Sequence, residues 1–377
     1  MWIFLIHGLL VSTWISRIPT FQINLNLSNA VLGLTLLGTA AGSVLAIPIC
    51  GRLVDRYTSK QVVVWSTLAL CVSLPLLSFA RDATSLAALL FIFGASAGTM
   101  DVAMNAQGVE VEKAMGRPIL SRLHSMFSFG AMIGSAAGGL ATQQRTPALV
   151  HFALAATLFT SFALFRFQNM LTVRHPAVTK ANSRNAGSKI PATLLALSAI
   201  AFCMLVAEGA MADWTDVYLH QVLHTSPGFA ASGYAVFSAA MALFRFFGDA
   251  ITARLGNRKT VQTGSFIGAA GLTWALLAPS AEWALPGFAA TGAGFSVIVP
   301  IVFGAGGRLD DVSPGVGIAA VTGFGYVGFL IGPPAIGFTS EYLSLRYALA
   351  ALIGLILICA VLSSSVRDAP ASQPTSS

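Results

Sequence analysis

Charge is scarce in this sequence. Asp, Glu, Lys and Arg make up 9% of its 377 residues, against roughly 25% in a soluble globular domain. That deficit, with a mean hydropathy of +0.77, excludes a water-soluble enzyme or binding domain. Strands of alternating polarity are missing too, which excludes a β-barrel. Cysteine is limited to Cys50, Cys71, Cys203 and Cys359. None forms a CxxC pair and each sits in or beside an apolar run, so they imply neither a disulfide framework nor a metal site and read as packing residues. The sequence holds no GxxxxGK[ST] loop, no HExxH and no GxSxG. ATP-driven pumping has no basis here, nor has a cofactor, a metal or a catalytic constellation. The net charge of +7 is scattered along the chain rather than gathered on one face, which argues against nucleic acid as a partner.

What is present is a series of apolar runs rich in Leu, Ala, Gly and Phe. Each has about the 20 residues that a helix needs to cross a bilayer. Twelve spans are expected, at roughly 1–18, 29–50, 61–80, 83–107, 121–143, 147–167, 191–213, 227–250, 260–279, 282–304, 314–338 and 343–364. The polar, basic stretch 168–190 reads as a flexible linker. It divides an N-terminal six-helix bundle (1–167) from a C-terminal one (191–366). Residues 367–377 read as a disordered tail. Basic residues such as Arg52, Arg56, Lys60, Lys113, Arg122, Arg254 and Arg258 all fall on one side of the twelve spans, whereas Arg17, Arg81, Arg145 and Arg346 fall on the other. The positive-inside rule therefore predicts a multi-pass protein of the inner membrane with both termini cytoplasmic. Met1 runs straight into Trp2, Ile3, Phe4 and Leu5 with no basic flank. This is no signal peptide, and it predicts a short lead and part of the first helix upstream of Met1.

The halves echo one another at a spacing of 198 residues. Gly130, Ile133 and Gly134 correspond to Gly328, Ile331 and Gly332, and Arg56 and Lys60 to Arg254 and Arg258. Such a repeat predicts two pseudo-symmetric bundles with a binding site at their interface.

Polar residues inside the spans are the candidate site. Asp101 interrupts the fourth span, with Asn105 one turn further on. Glu208 lies within the seventh. A carboxylate in a long apolar run usually marks an ion or solute path, and these two come from opposite halves. Acids carried between water and a low-dielectric interior can load and release protons. Asp101 can instead cap a helix or pair with Arg122 or Lys113. Asp213 and Asp216 fall at the outer end of the seventh span, where water is expected. Trp214 suits either an interfacial aromatic belt or a stacking surface for a sugar ring. His7, Trp14 and Arg17 face a polar environment if they share a helix face. His124, entering the fifth span, suits a structural hydrogen bond or a proton relay. The eleventh span contains GFGYVG, Gly323–Gly328, but with no strand before it this is a close-packing helix rather than a nucleotide loop. Pro333 and Pro334 add a bend.

The loop GRLVDRYTSK, Gly51–Lys60, resembles the G-x-L-x-D-R-x-G-R-[KR] loop of the major facilitator superfamily. Gly51, Leu53, Asp55, Arg56 and Lys60 match, whereas Thr58 and Ser59 replace a glycine and an arginine. Gly51 would let the second helix close on the other half, and Asp55 could bond to basic groups across the interface. The equivalent loop, Arg245–Lys259, resembles a degraded copy carrying Gly248, Asp249, Arg254 and Arg258. Arg245 and Asp249 are four residues apart, a spacing that allows a salt bridge, structural or gating.

The resemblance covers the whole chain. It implies an all-α membrane fold of twelve helices in two six-helix bundles, a non-enzymatic secondary transporter of a small-molecule solute working by alternating access, and a functional monomer in the lipid bilayer. Within the superfamily, DVAMNAQGVEVEK from Asp101, EGAMADW from Glu208 and RFFGD from Arg245 resemble the bacterial fucose-permease branch. That branch implies proton-coupled symport of a sugar-like solute, using acids on the first and fourth helices. Here the first helix has no carboxylate, so the proton role falls to Asp101 alone or with Glu208. The alternative is proton-coupled efflux of drugs or metabolites. Antiporters of that kind carry Gly-Pro-x-x-Gly-Gly on the fifth helix, where this chain has GSAAGG with Ser135 in place of the proline.

Overall fold

The computed structural model describes residues 1–116, 119–172, 191–309 and 312–366, with the side chains of Asp55, Pro314 and Gly315 left aside. The proposed linker falls mostly outside this set, the tail falls wholly outside it, and so does the expected role of Asp55.

Among the described residues every regular element is a helix. The first crossing is α1 (Trp2–Ile15) and α2 (Ile18–Asn24), broken at Ser16–Arg17 ahead of Pro19. There follow α3 (Asn29–Arg56), α4 (Ser59–Leu76), α5 (Ala83–Met115), α6 (Leu120–Gln143) and α7 (Ala148–Arg166). The second half runs α8 (Ala192–Gln221), α9 (Pro227–Ala230), α10 (Ser232–Phe246), α11 (Gly248–Leu255), α12 (Asn257–Leu277), α13 (Ala281–Phe295), α14 (Ile298–Gly306), α15 (Pro314–Tyr342) and α16 (Leu345–Leu362). Among the described residues, ten helices or helix pairs are long and apolar enough to cross a membrane. α6 and α12, of 24 and 21 residues, have the length of a crossing but carry more polar residues, and they bring the number to twelve.

Local chemistry sets the ends. Ser28 and Thr58 accept the backbone N–H of Val31 and Gln61 at the starts of α3 and α4. Asp82 and Ser85 satisfy each other's backbone N–H groups in a capping box at the start of α5. The Ser85 N–H holds the exposed Asp82 carboxyl below its usual range. Gly116 ends α5 at φ 63°, a left-handed conformation that suits glycine.

Packing reproduces the sequence repeat. α6 lies on α1 as α15 lies on α8; α4 packs on α5 and α7 as α12 packs on α13 and α16. The repeated glycines make those equivalent contacts. A Cβ on Gly130 would overlap the Leu5 carbonyl of α1, and one on Gly328 would come within 2.8 Å of the Phe202 carbonyl of α8. Small residues admit this approach where no hydrophobic drive brings helices together. Between the halves the two main contacts are also exchanged by the pseudo-symmetry: α6 against α10, and α15 against α3.

The two ends of the molecule differ. At the end away from Arg56 and Arg122, the halves are shut. Gly33 of α3 abuts Pro333 of α15, and Gly139 of α6 abuts Gly228 of α9. Gln22, Asn29 and Gln221 form a knot of amides there. Gln22 Nε2 donates to Asn29 Oδ1 at 2.8 Å, Asn29 Nδ2 to Gln221 Oε1 at 3.2 Å, and Gln221 Nε2 to Gln22 Oε1 at 3.0 Å. Glu341 of α15 accepts the Ala30 N–H at the start of α3 at 3.2 Å. At the basic end, α6 meets α11 through Ser121–Asp249 and α10 through Ser125–Ala242, and α3 stays on α5 through the Cys50 thiol and the Thr99 carbonyl. A Cβ on Gly51 would meet nothing within 4 Å. The close approach expected of Gly51 is therefore not made in this conformation.

Candidate functional site

Halfway between the ends, polar side chains from both halves form a chain through an otherwise apolar interior. On α5, Asp101 and Asn105 share a face. Asn105 Nδ2 donates to the Asp101 backbone carbonyl at 2.9 Å and lies 3.2 Å from its Oδ1. Asn105 Oδ1 lies 3.0 Å from His124 Nε2 on α6. From the other half, the Tyr326 hydroxyl of α15 donates to Asp101 Oδ2 at 3.4 Å. Asp101 is thus held by an amide and a phenol. The expected alternative partners are elsewhere: Arg122 lies 5.9 Å over the Phe246 ring.

A second cluster sits beside the first. The Arg245 guanidinium, 6% exposed, donates Nε–H to the Ser296 carbonyl at 2.9 Å and Nη1–H to Ser128 Oγ of α6 at 3.2 Å. Its Nη2 lies 3.9 Å from Glu208 Oε1 on α8. The expected pairing of Arg245 with Asp249 is not made. α10 stops at Phe246 and α11 begins at Gly248, so the four-residue spacing does not run along one helix. Arg245 turns inward to the buried acid, and Asp249 accepts from the Ser121 hydroxyl at 3.0 Å.

Asp101, Asn105, His124, Glu208 and Tyr326 are all half-buried. Asp101 and Tyr326 meet where the two halves come together, whereas Arg245, Ser128 and Ser296 are buried. The arrangement offers carboxylate, amide, imidazole and phenol groups to a polar solute, and two acids in separate settings. Asp101 has neutral partners; Glu208 has a cation.

Several expected site residues lie apart from this chain. Trp14 is 2% exposed and packs edge-on to Phe21 at 5.1 Å, so it belongs to the core rather than to a polar face. Arg17 reaches His151 Nδ1 at 3.3 Å and the Thr146 carbonyl at 3.1 Å at the shut end. Trp214 is fully buried; it forms neither an interfacial belt nor a stacking surface, because its side chain sits on a covered face of α8. Asp213 is half-buried on α8. Asp216, expected in water, is 1% exposed. Of the gating candidates, Arg56 stacks over Tyr57 at 5.5 Å, Arg254 is exposed and Lys60 is half-buried at the basic end. All four cysteines are buried and free.

Sequence reading missed Tyr326, Ser128, Ser296 and the amide knot. Tyr326 had a signal: a hydroxyl inside the apolar GFGYVG run needs a partner. Single serines and amides near helix ends are too common to stand out.

The Major Facilitator Superfamily model matches residues 1–309. The chain is 35% identical to an uncharacterized MFS-type transporter of Yersinia pestis, over 96% of this chain and 94% of that protein. It is 34% identical to an uncharacterized transporter of Sinorhizobium fredii, over 91% and 90%. Among solved structures, a bacterial homologue of the human lysosomal transporter Spinster, inward-facing and unoccupied, superposes with a TM-score of 0.71. There the identity is 15%, with 98% of this chain and 97% of that one covered.

Proposed function

We propose a solute-and-proton pathway through the central polar chain, from the premise that this protein belongs to the major facilitator superfamily and is a multi-pass membrane transporter. The finer reading is proton-coupled symport of a small, sugar-like solute across the inner membrane by alternating access, as a monomer with both termini cytoplasmic.

The observation that carries it is the meeting of Asp101 with Tyr326 across the halves, one turn from the Asn105–His124 contact. A carboxylate here has a neutral partner from each half and no cation. Binding a proton or a polar solute would alter contacts that hold the halves together, which is what coupling requires. The uncharged donors and acceptors around it suit hydroxyl groups. Alternating access is supported by one end being shut by amides and glycine contacts, while Gly51 at the other end meets open space. By the positive-inside rule the basic end is the cytoplasmic one.

The test uses membrane vesicles containing the protein, a panel of radiolabelled sugars and polyols, and an imposed pH gradient, acid outside. Accumulation abolished by a protonophore supports symport. Gradient-driven loss of preloaded compound would favour efflux instead. No movement of any compound would overturn the sugar-like solute.

A further inference from the structure

Among the described residues, Asp216 is a buried acid with no counter-charge beside it. It is 1% exposed. Its Oδ1 accepts the Tyr234 N–H at 3.2 Å, and its Oδ2 has no partner. An ionised carboxylate in such a place carries a heavy desolvation cost unless it is paired, and a buried polar atom without a partner calls for an explanation.

The charged and titratable groups on every neighbouring element are otherwise engaged or displaced. From α10, the Tyr234 phenol bonds to Ser238 and lies among the acids Glu208, Asp213 and Asp216, and Arg245 is bound to Ser128, Ser296 and Glu208. From α16, Arg346 meets Tyr218 instead. From α13, Phe288 packs on Tyr218. From α15, Glu341 caps α3 and Tyr326 holds Asp101. α2 supplies Gln22, an amide. On α8 itself the nearest ionisable neighbour is Asp213, another acid, and His220 is bonded to the Thr225 carbonyl at 2.7 Å.

Asp216 also lies five residues before Gln221, the α8 member of the amide knot. A rise of about 1.5 Å per residue puts it roughly one and a half turns beneath the seal. We propose that Asp216 is a proton-binding site, filled when the halves shut at the amide-knot end and emptied when that end opens. On closing, the carboxylate takes one proton from water at that end and becomes a neutral carboxyl. On opening, the O–H ionises and the proton returns to water or passes inward by way of Tyr234 and Glu208. This deepens the proton-coupled reading by giving the coupling a site next to the gate; the coupling itself rests on that reading.

The test is infrared spectroscopy of the purified full-length protein in lipid nanodiscs, with H/D exchange, at neutral pH. Wild type is expected to show the carbonyl stretch of a protonated carboxyl, which D216N loses while keeping an unchanged helical amide band. D213N is expected to retain it. If D216N fails to fold, D216E serves: the band should move rather than vanish. Identical carbonyl regions in wild type and D216N, or an unmoved band in D216E, would overturn the proposal. A band assigned to Asp216 in a protein that moves no protons with any solute would leave this site standing and overturn the coupled-transport reading instead.

Discussion

The guanidinium of Arg245 crosses from one half of the molecule to the other and lies 3.2 Å from the hydroxyl of Ser128. The same group faces Glu208 at 3.9 Å and the Ser296 carbonyl at 2.9 Å. One buried cation thus ties α6, α8, α10 and the break between α13 and α14 into one arrangement. It is the natural place to ask what each contact is worth.

Removing Arg245 would leave Glu208 without its cation. Breaking a buried pair from one side costs about 3–5 kcal/mol; Glu208 is 23% exposed, which favours the lower end. R245A leaves Glu208 without its cation and E208Q leaves Arg245, 6% exposed, without its anion, so both are expected to lower the unfolding temperature markedly. S128A should cost only about 1–3 kcal/mol. Thermal melts of the three purified variants check the order.

D101N is expected to fold as wild type and to abolish solute-linked proton movement, since an amide keeps the shape but not the titration. Y326F removes a long hydrogen bond at 3.4 Å and should retain coupling with a modest loss of affinity. Uptake and pH traces on both variants distinguish these outcomes.

The glycines separate by position. G130A would press a methyl into the Leu5 backbone, and G8A into that of Phe127. Both should lower expression and melting temperature. G51A meets open space and should leave the melt unchanged. If the basic ends close around Gly51 during the cycle, G51A will slow transport all the same.

Loss of the amide knot should release the shut end. Asn29→Ala removes the two bonds that Asn29 makes to Gln221 across the halves, besides its bond to Gln22 within the N-terminal half. Neutral hydrogen bonds are worth about 0.5–1.5 kcal/mol each, so two shift a two-state ratio by roughly five- to a hundred-fold. Distances between spin labels placed at that end of each half should broaden toward longer values in N29A.

Much of this architecture was legible in the sequence, since spans and repeat rest on composition and on spacings that the bilayer imposes. The 198-residue echo of Gly130 in Gly328 anticipated equivalent helix contacts, and those contacts are made. Asp101, Asn105, His124, Glu208 and Arg245 stood out because polarity in an apolar run needs a reason. Their partners did not. The Arg245–Asp249 spacing pointed to a local pair, but the helix break at Phe247 and a buried acid on another helix prevailed. Trp214 and Asp216 were misjudged for one reason: depth along a span says where a residue lies relative to lipid, not which face its neighbours cover.

The central claim is that Asp101 carries a proton together with the solute. The most direct measurement is external pH in a dense, de-energised suspension of cells expressing the protein, on adding sugars and polyols one by one. Alkalinisation with at least one compound in wild type, absent in D101N present at equal level in the membrane, is the predicted result. Equal alkalinisation in both, or none in wild type with any compound, would contradict it.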